Sequence, residues 1–276
     1  MENWDLDEVG NWTQIKLEIV RKYSAAYTTV MRKQSAIDHY AYIDGFAGAG
    51  SHRARGKDEE IPGSPAIALD HNYTQYHFVD LDRSRAERLR KLASNRENVT
   101  VYEGDCNEVL LRDVLPQYRY ETYRRALCLL DPYGLNPKWE VVEQAGQLGT
   151  IDMFLNFMIM DANRNVLWAR PNEVTQEQIA RMDAFWGDGT WREAAYRTMA
   201  GLFGEMQEKL TNEAVVSAYC QRLKDVAGFK YVPEPLPLRN SKNAVIYFLV
   251  FASNKPAGRN IARDIFAKWR ELDHAQ

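Results

Sequence analysis

Cysteine is scarce in this chain. Its 276 residues hold Cys106, Cys128 and Cys220, with no CxxC or CxC pair and no histidine three or four positions from any of them. Zinc sites and disulfide frameworks need closely spaced or evenly paired ligands, so neither is expected, and the three thiols are read as small buried apolar groups. His39, His52, His71, His77 and His274 also lack ligand spacing, and no metal is assigned. An excess of one charge is missing too: 35 Lys and Arg stand against 38 Asp and Glu, a net charge of −3. That balance excludes a histone-like binder and an acidic disordered tail, while leaving room for a local basic stripe. Long apolar runs are absent. The strongest, Ala244 to Ala252, falls far short of the roughly 20 residues of a spanning helix. The first residues, MENWDLDEVGNW, are polar and acidic, unlike a signal peptide. The expectation is a soluble protein of the reducing cytoplasm with no membrane partner. There is no internal repeat and no low-complexity tract.

What the chain does have is an alternation of short apolar runs with amphipathic stretches. Trp12 to Lys33 reads as a helix, with Ile15, Ile19, Ala26 and Val30 at helical spacing, Lys16, Arg21, Lys22 and Lys33 between them, and Asn11 or Thr13 as the cap. His39 to Ile43 is an aromatic and β-branched run that ends in the glycine-rich turn Asp44-Gly-Phe-Ala-Gly-Ala-Gly50. Ser51 to Pro62 reads as a charged surface loop, and Ser64 and Pro65 open a short helix to Asp70. Strands are expected at Tyr76–Val79, Val99–Tyr102, Arg125–Leu130 and Ile151–Phe157, with helices Arg83–Ser94, Cys106–Leu115 and Pro137–Leu148 between them. From Asp161 to Thr211 the pattern reads as helical, followed by a helix to Ala227, strands at Phe229–Pro237 and Ala244–Phe251, and a basic helix Ile261–Leu272. This pitch implies an α/β fold of Rossmann-like type, a mostly parallel sheet covered by helices on both faces. One domain over 1–276 fits best, with an N-terminal helical segment (1–36), a cofactor-binding core (37–160), a helical insertion after the fifth strand (161–228) and C-terminal strands and helix (229–276).

Open parallel sheets bind ligands beyond the carboxyl ends of their strands. Four of the first five strand ends carry acids: Asp44, Asp80, Asp105 and Asp131; the fifth ends at Asn156. Gly45, Gly48 and Gly50 give a turn that a ligand can approach closely, with Phe46 among them. The turn lacks the Lys and the GKS/T of a P-loop, and GxGxxG is absent, which makes a dinucleotide-binding domain a distant rival. A carboxylate at Asp80, beside Leu81, can take both hydroxyls of a ribose. Asp82 is the competing acid and is read as the cap of the following helix. Asp105, before Cys106, can take an exocyclic amine or cap its helix. Asp161 to Asn165 follows the fifth strand and offers an outer wall for the substrate site, or else a polar loop capped by Asn; Asn163 and Arg164 join Asn156 as candidate substrate ligands. Tyr118-Arg-Tyr-Glu-Thr-Tyr-Arg-Arg125 interleaves aromatics with arginine, which suits stacking and phosphate binding, but it enters the fourth strand at the end of the sheet away from the glycine turn.

The glycine turn, the second-strand acid and the third-strand Gly-Asp together resemble the class I S-adenosylmethionine-dependent methyltransferases over about Tyr40 to Phe157. Asp131-Pro132-Tyr133-Gly134 resembles the Asp-Pro-Pro-Tyr signature of amino-group DNA methyltransferases, with one proline missing. In that signature an Asp carboxylate and a Pro carbonyl accept the hydrogens of a conjugated amine, and the aromatic ring stacks on the extruded base. The blocks Ile15–Tyr23, Tyr42–Gly50, Pro62–Ala68, Leu130–Gly134, Asn156–Met158 and Phe251–Asn254 look like the three-Cys-motif partner family, TcmP, which is methyltransferase-like in fold and associated with a neighbouring three-cysteine protein. The resemblance implies S-adenosylmethionine as cofactor, held by Asp44, Gly45, Phe46, Gly48, Gly50, Asp80, Leu81, Asp105 and Cys106. The Asp-Pro-Pro-Tyr resemblance implies Asp131, Pro132 and Tyr133 as catalytic residues and nucleic acid as the favoured substrate, and the TcmP resemblance implies a three-cysteine partner. The alternative is an adaptor or cofactor-sensing subunit that works with that partner without methyl transfer of its own.

Overall fold

The computed structural model describes residues 8–54, 60–201 and 204–274. Seven strands build the main sheet: β1 (His39–Asp44), β2 (Gln75–Asp80), β3 (Val99–Glu103), β4 (Arg124–Leu130), β5 (Ile151–Phe157), β6 (Leu236–Arg239) and β7 (Val245–Ala252). Their order across the sheet is β3-β2-β1-β4-β5-β7-β6. The first five are parallel to their neighbours, and β7 runs antiparallel between β5 and β6. This is a Rossmann-like fold with the strand order of the class I methyltransferases.

The sheet is buried on both faces, which is why its strands read as nearly continuous apolar runs. In β1 the alternation splits the residues between two layers: Ala41 and Ile43 enter one core, Tyr40 and Tyr42 the other. The Tyr42 layer is closed by α1 (Asn11–Arg32) and α10 (Pro256–His274), whose Ile19, Val20, Tyr23, Ala262 and Phe266 are all fully buried. The opposite layer is closed by α5 (Trp139–Leu148), α7 (Gln176–Trp186) and α9 (Asn212–Asp225). There Trp186 and Trp191 are core residues, packing with Tyr219 and Tyr196.

Several local expectations are corrected. The cap of α1 is Gly10, with Asn11 already inside the helix, and Ser64 is the first residue of its helix after the Gly63 cap. Ser51–Ala54 and Glu60–Pro62 form an antiparallel pair beside Glu8–Val9 where a loop was expected; residues 55–59 lie outside the described residues. The insertion is not wholly helical. Tyr196–Gly201 and Gly204–Lys209 pair antiparallel, with Arg197 facing Glu208 across the strands. Two glycines at the tip and an opposite-charge cross-strand pair favour the hairpin over helix continuation. The helix from Cys106 gives way at Leu110 to a π-turn and then a 3₁₀ turn through Tyr118. The strand expected from Phe229 begins only at Leu236, and it accommodates Pro237 because β6 is an edge strand.

Candidate functional site

The crevice lies where the strand order reverses, between β1 and β4. Register sets Asp80 and Asp131 level with each other: Asp44 is opposite Phe78 on β2 and Leu129 on β4, so each lies two residues beyond it. Gly45 N–H donates to Leu129 O at 3.0 Å and Ala47 N–H to Val79 O at 2.9 Å, pinning the turn to both neighbouring strands. Gly45 has no room for a side chain, since a Cβ there would sit 2.7 Å from Cys106 Sγ and from Leu130 Cδ2. Gly48 differs. It adopts φ +63°, and a Cβ built on it would meet nothing within 4 Å. The turn therefore presents open space at Gly48 and packed core at Gly45.

Asp44 has no exposed surface. Phe46 N–H donates to its Oδ1 at 3.3 Å and the Tyr42 hydroxyl to its Oδ2 at 3.4 Å. Burial pushes its carboxyl up to about 7; Ser64 and the Phe46 N–H oppose the rise and nearby Asp131 adds to it. Asp44 thus braces the turn from inside, and a direct ligand contact by its carboxylate is not what this arrangement offers.

Asp80 is 8% exposed and takes Gly48 N–H at 2.8 Å on Oδ2 and Asp82 N–H at 2.9 Å on Oδ1. Burial raises its pKa, and these two donors counter the rise. Each carboxylate oxygen keeps a second lone pair for a further donor. Leu81 beside it is 74% exposed, an apolar surface at the rim. Asp82 caps α3 (Arg83–Leu92) through Arg85 N–H, as the sequence reading has it. Asp105 caps the helix at Cys106, but both bonds, from Asn107 and Glu108 N–H, go to Oδ1, and no bond to Oδ2 is made among the described residues. Cys106 is buried against Gly45, and burial raises its thiol pKa.

At the end of β4, Asp131 is held on both oxygens. Lys16 Nζ ion-pairs with Oδ2, and Asn156 Nδ2 donates to Oδ1. Lys16 and Asn156 are 5% and 0% exposed. The buried Asn156 Oδ1 has no hydrogen-bond partner among the described residues. Pro132 is buried, and Tyr133 is 68% exposed. The loop after Gly134 is tied down by Asp161, which accepts from Leu135 N–H at 3.1 Å and from Arg181 at 2.6 Å.

Lys16 is the residue that sequence reasoning missed as a functional group. Its signal was present: Lys16, Val20, Tyr23 and Tyr27 recur at helical spacing and are all buried. Two substrate assignments fare worse. Asp161 to Asn165 lies in helix α6 (Ile159–Asn165), in line with the helical pattern from Asp161 and against the polar-loop alternative. Asn163 turns to the insertion, donating to Asn212 Oδ1 at 3.0 Å and accepting from Lys209 Nζ at 2.7 Å, so its amide is spent on structure. Arg164 is exposed on the same helix, and among the described residues no hydrogen bond or ion pair joins it to Asp131 or Asn156.

No family model matches the chain, and no curated protein matches it in sequence. Among solved structures, it is similar to LPL1258 from Legionella pneumophila, of family-model DUF519, at a TM-score of 0.53 and 10% identity, over 92% of this chain and 91% of that one. The N-terminal domain of EvdMO1, crystallised in the presence of SAH and D-fucose, aligns with a TM-score of 0.43 and 11% identity over 86% of this chain and 82% of that one. The CurJ carbon methyltransferase aligns with a TM-score of 0.43 and 13% identity, over 84% of this chain and 53% of that one. The likeness to LPL1258 agrees with the fold described above.

Proposed function

We propose that the chain is an S-adenosylmethionine-dependent methyltransferase whose acceptor is a base amine in nucleic acid. One observation carries the reading: at the strand-order reversal, the open Gly48, the shielded Asp80 and the Lys16–Asp131–Asn156 cluster stand at the carboxyl ends of the neighbouring strands β1, β2 and β4. The residues fit the cofactor. Asp80 would take the ribose hydroxyls on its remaining lone pairs, Leu81 would cover the adenine, and Asp105 Oδ2 would accept the adenine amine. The turn from Gly45 to Gly50 would face the methionyl part, with Asp44 and Cys106 supporting it from behind. Bound there, S-adenosylmethionine supplies an electrophilic methyl group on a sulfonium.

The chain's own part is positioning, which for an in-line displacement is the main source of rate. Tyr133 offers an exposed ring for a base to stack on. Asp131 and the Pro132 carbonyl would accept the hydrogens of the acceptor amine, and Lys16 and Asn156 fix the Asp131 carboxylate for that task. The unpartnered Asn156 Oδ1 offers one further acceptor beside it. The resemblance to TcmP proteins belongs with this reading, as does a three-cysteine partner.

A second reading has its own observation. Both oxygens of Asp131 are already engaged inside the protein, which suits a subunit that binds the cofactor and its partner without transferring the methyl group. Calorimetric titration of S-adenosylhomocysteine into wild type and Asp80→Ala, with NAD as control, tests the pocket. Binding lost in the variant is expected; equal binding in both, or none in wild type, overturns it. Methyl transfer to DNA, tRNA or rRNA, present in wild type and lost in Asp131→Ala, separates enzyme from adaptor.

A further inference from the structure

We propose a second ligand site at the opposite end of the sheet, a cavity that takes a small organic anion with a flat apolar body. The cavity measures about 340 Å³, within the range of small-molecule sites. It lies under α1 and the start of α10. Tyr23, Tyr27, Met31 and Ile261 give it apolar walls, and Arg125 and Lys255 supply charge. Arg125 is the second residue of β4, whereas Asp131 follows the last, so the full length of a strand separates this cavity from the glycine turn.

The cations argue for a ligand. Arg125 is only 9% exposed. Its guanidinium makes one hydrogen bond, from Nη1 to Arg124 O at 2.7 Å, and no ion pair among the described residues. A buried guanidinium is costly to keep unless an anion meets it. Lys255 likewise has no ion pair among the described residues. Both cations lie over the Tyr120 ring, at 5.1 and 5.6 Å from its centroid.

The one carboxylate in the wall, Asp152, is spent on its neighbours. It accepts from the Tyr23 hydroxyl at 2.7 Å and from Ser253 Oγ at 2.5 Å. Burial also raises its pKa, with Lys255 opposing the rise. The Tyr27 hydroxyl is buried in the same wall with no partner among the described residues. Unpaired positive charge, aromatic walls and a free hydroxyl describe a site for an anion on a flat apolar frame. A nucleic-acid strand does not suit it, because the guanidinium is buried. The Tyr118–Arg125 pattern thus contributes Arg125 to the cavity lining, with the exposed Tyr120 ring packed on its guanidinium.

The test is a fluorescence titration of the full chain with 8-anilinonaphthalene-1-sulfonate, followed by displacement with 2-naphthoate, 2-naphthyl phosphate and neutral 2-naphthol. One saturable site is expected, with the anions displacing the probe at least about tenfold better than the alcohol, as a charge-assisted bond requires. The stronger of the two anions identifies the head group. Arg125→Met is expected to weaken the probe by about tenfold or more, and Lys255→Met to weaken it less. Because Lys255 is exposed, its variant keeps the test valid should Arg125→Met fail to fold. No saturable binding, equal affinity in Lys255→Met and wild type, or equal displacement by the alcohol would overturn the proposal. Saturating S-adenosylhomocysteine is expected to leave the probe bound; stoichiometric displacement would place the probe at the other rim and equally refute it.

Discussion

Lys16, on the first turns of α1, forms an ion pair with Asp131, 115 positions later at the end of β4. The contact fastens the N-terminal helix to the crevice, so a residue far outside the strand-end motifs becomes part of the site. The partners are unequally shielded, with side chains 6% and 20% exposed.

That asymmetry sets the order of mutational costs. Asp131→Ala strands an ammonium in the interior and is expected to cost about 3–5 kcal/mol. Lys16→Met leaves a carboxylate that still holds Asn156 and reaches solvent, and is expected to cost about 1–2 kcal/mol. The double variant should cost less than the sum. Urea unfolding of the four proteins measures the coupling, and strict additivity would deny it.

Gly48 and Gly45 should respond in opposite ways to alanine. At Gly48, φ +63° with open space around it predicts a stability loss of only about 1–2 kcal/mol. The added methyl group would project into the crevice, and S-adenosylhomocysteine affinity should fall by at least about tenfold. Gly45→Ala should instead destabilise the chain, because its Cβ would lie 2.7 Å from Cys106 and Leu130. Thermal unfolding beside calorimetry distinguishes the two.

Asp105 combines a structural and a proposed binding role on different oxygens. Asp105→Ser keeps a good cap and removes the second oxygen, so stability should change by no more than about 0.5 kcal/mol. Cofactor affinity should still drop, by about three- to tenfold. Asp105→Ala should lose both. If Ser and wild type bind S-adenosylhomocysteine equally, Asp105 is a cap alone.

His77 is buried between the hydroxyls of Tyr102 and Tyr118, at 3.2 and 2.8 Å. Burial, assisted by Arg124, lowers its pKa from 6.5 to about 4. Between those values the unfolded chain binds the proton and the folded chain does not. The stabilisation is therefore complete above about pH 6.5 and fades as pH falls towards 4, by up to about 3 kcal/mol. Asp44, raised to about 7, acts in the opposite sense, favouring the folded state as pH falls. Comparing wild type with His77→Gln cancels the Asp44 contribution. The stability difference should shrink from pH 7 to pH 4, and a constant difference would rule out the titration.

The sequence by itself determined the parallel core and the residues at its strand ends. Runs such as Ala126–Leu130 and Ile151–Phe157 are buried on both faces, and acids stand at the ends of the first four strands, where the chain turns out of the sheet. Local chemistry also gave Asp82 as a cap, since an N-cap needs only the next helical turn. Tertiary structure decided the rest. Lys16 and Asp131 meet only after α1 docks on the sheet, and periodicity marks a buried face without saying what lies across it. Asn163 goes to Lys209 and Asn212 because α6 packs against the insertion. The hairpin at Tyr196–Lys209 rests on pairing between its own strands, which residue types alone did not separate from helix. The lower cavity is assembled from α1, α10 and the starts of β4 and β5. No one segment carries its signature, because charge and apolar surface converge there only through the fold.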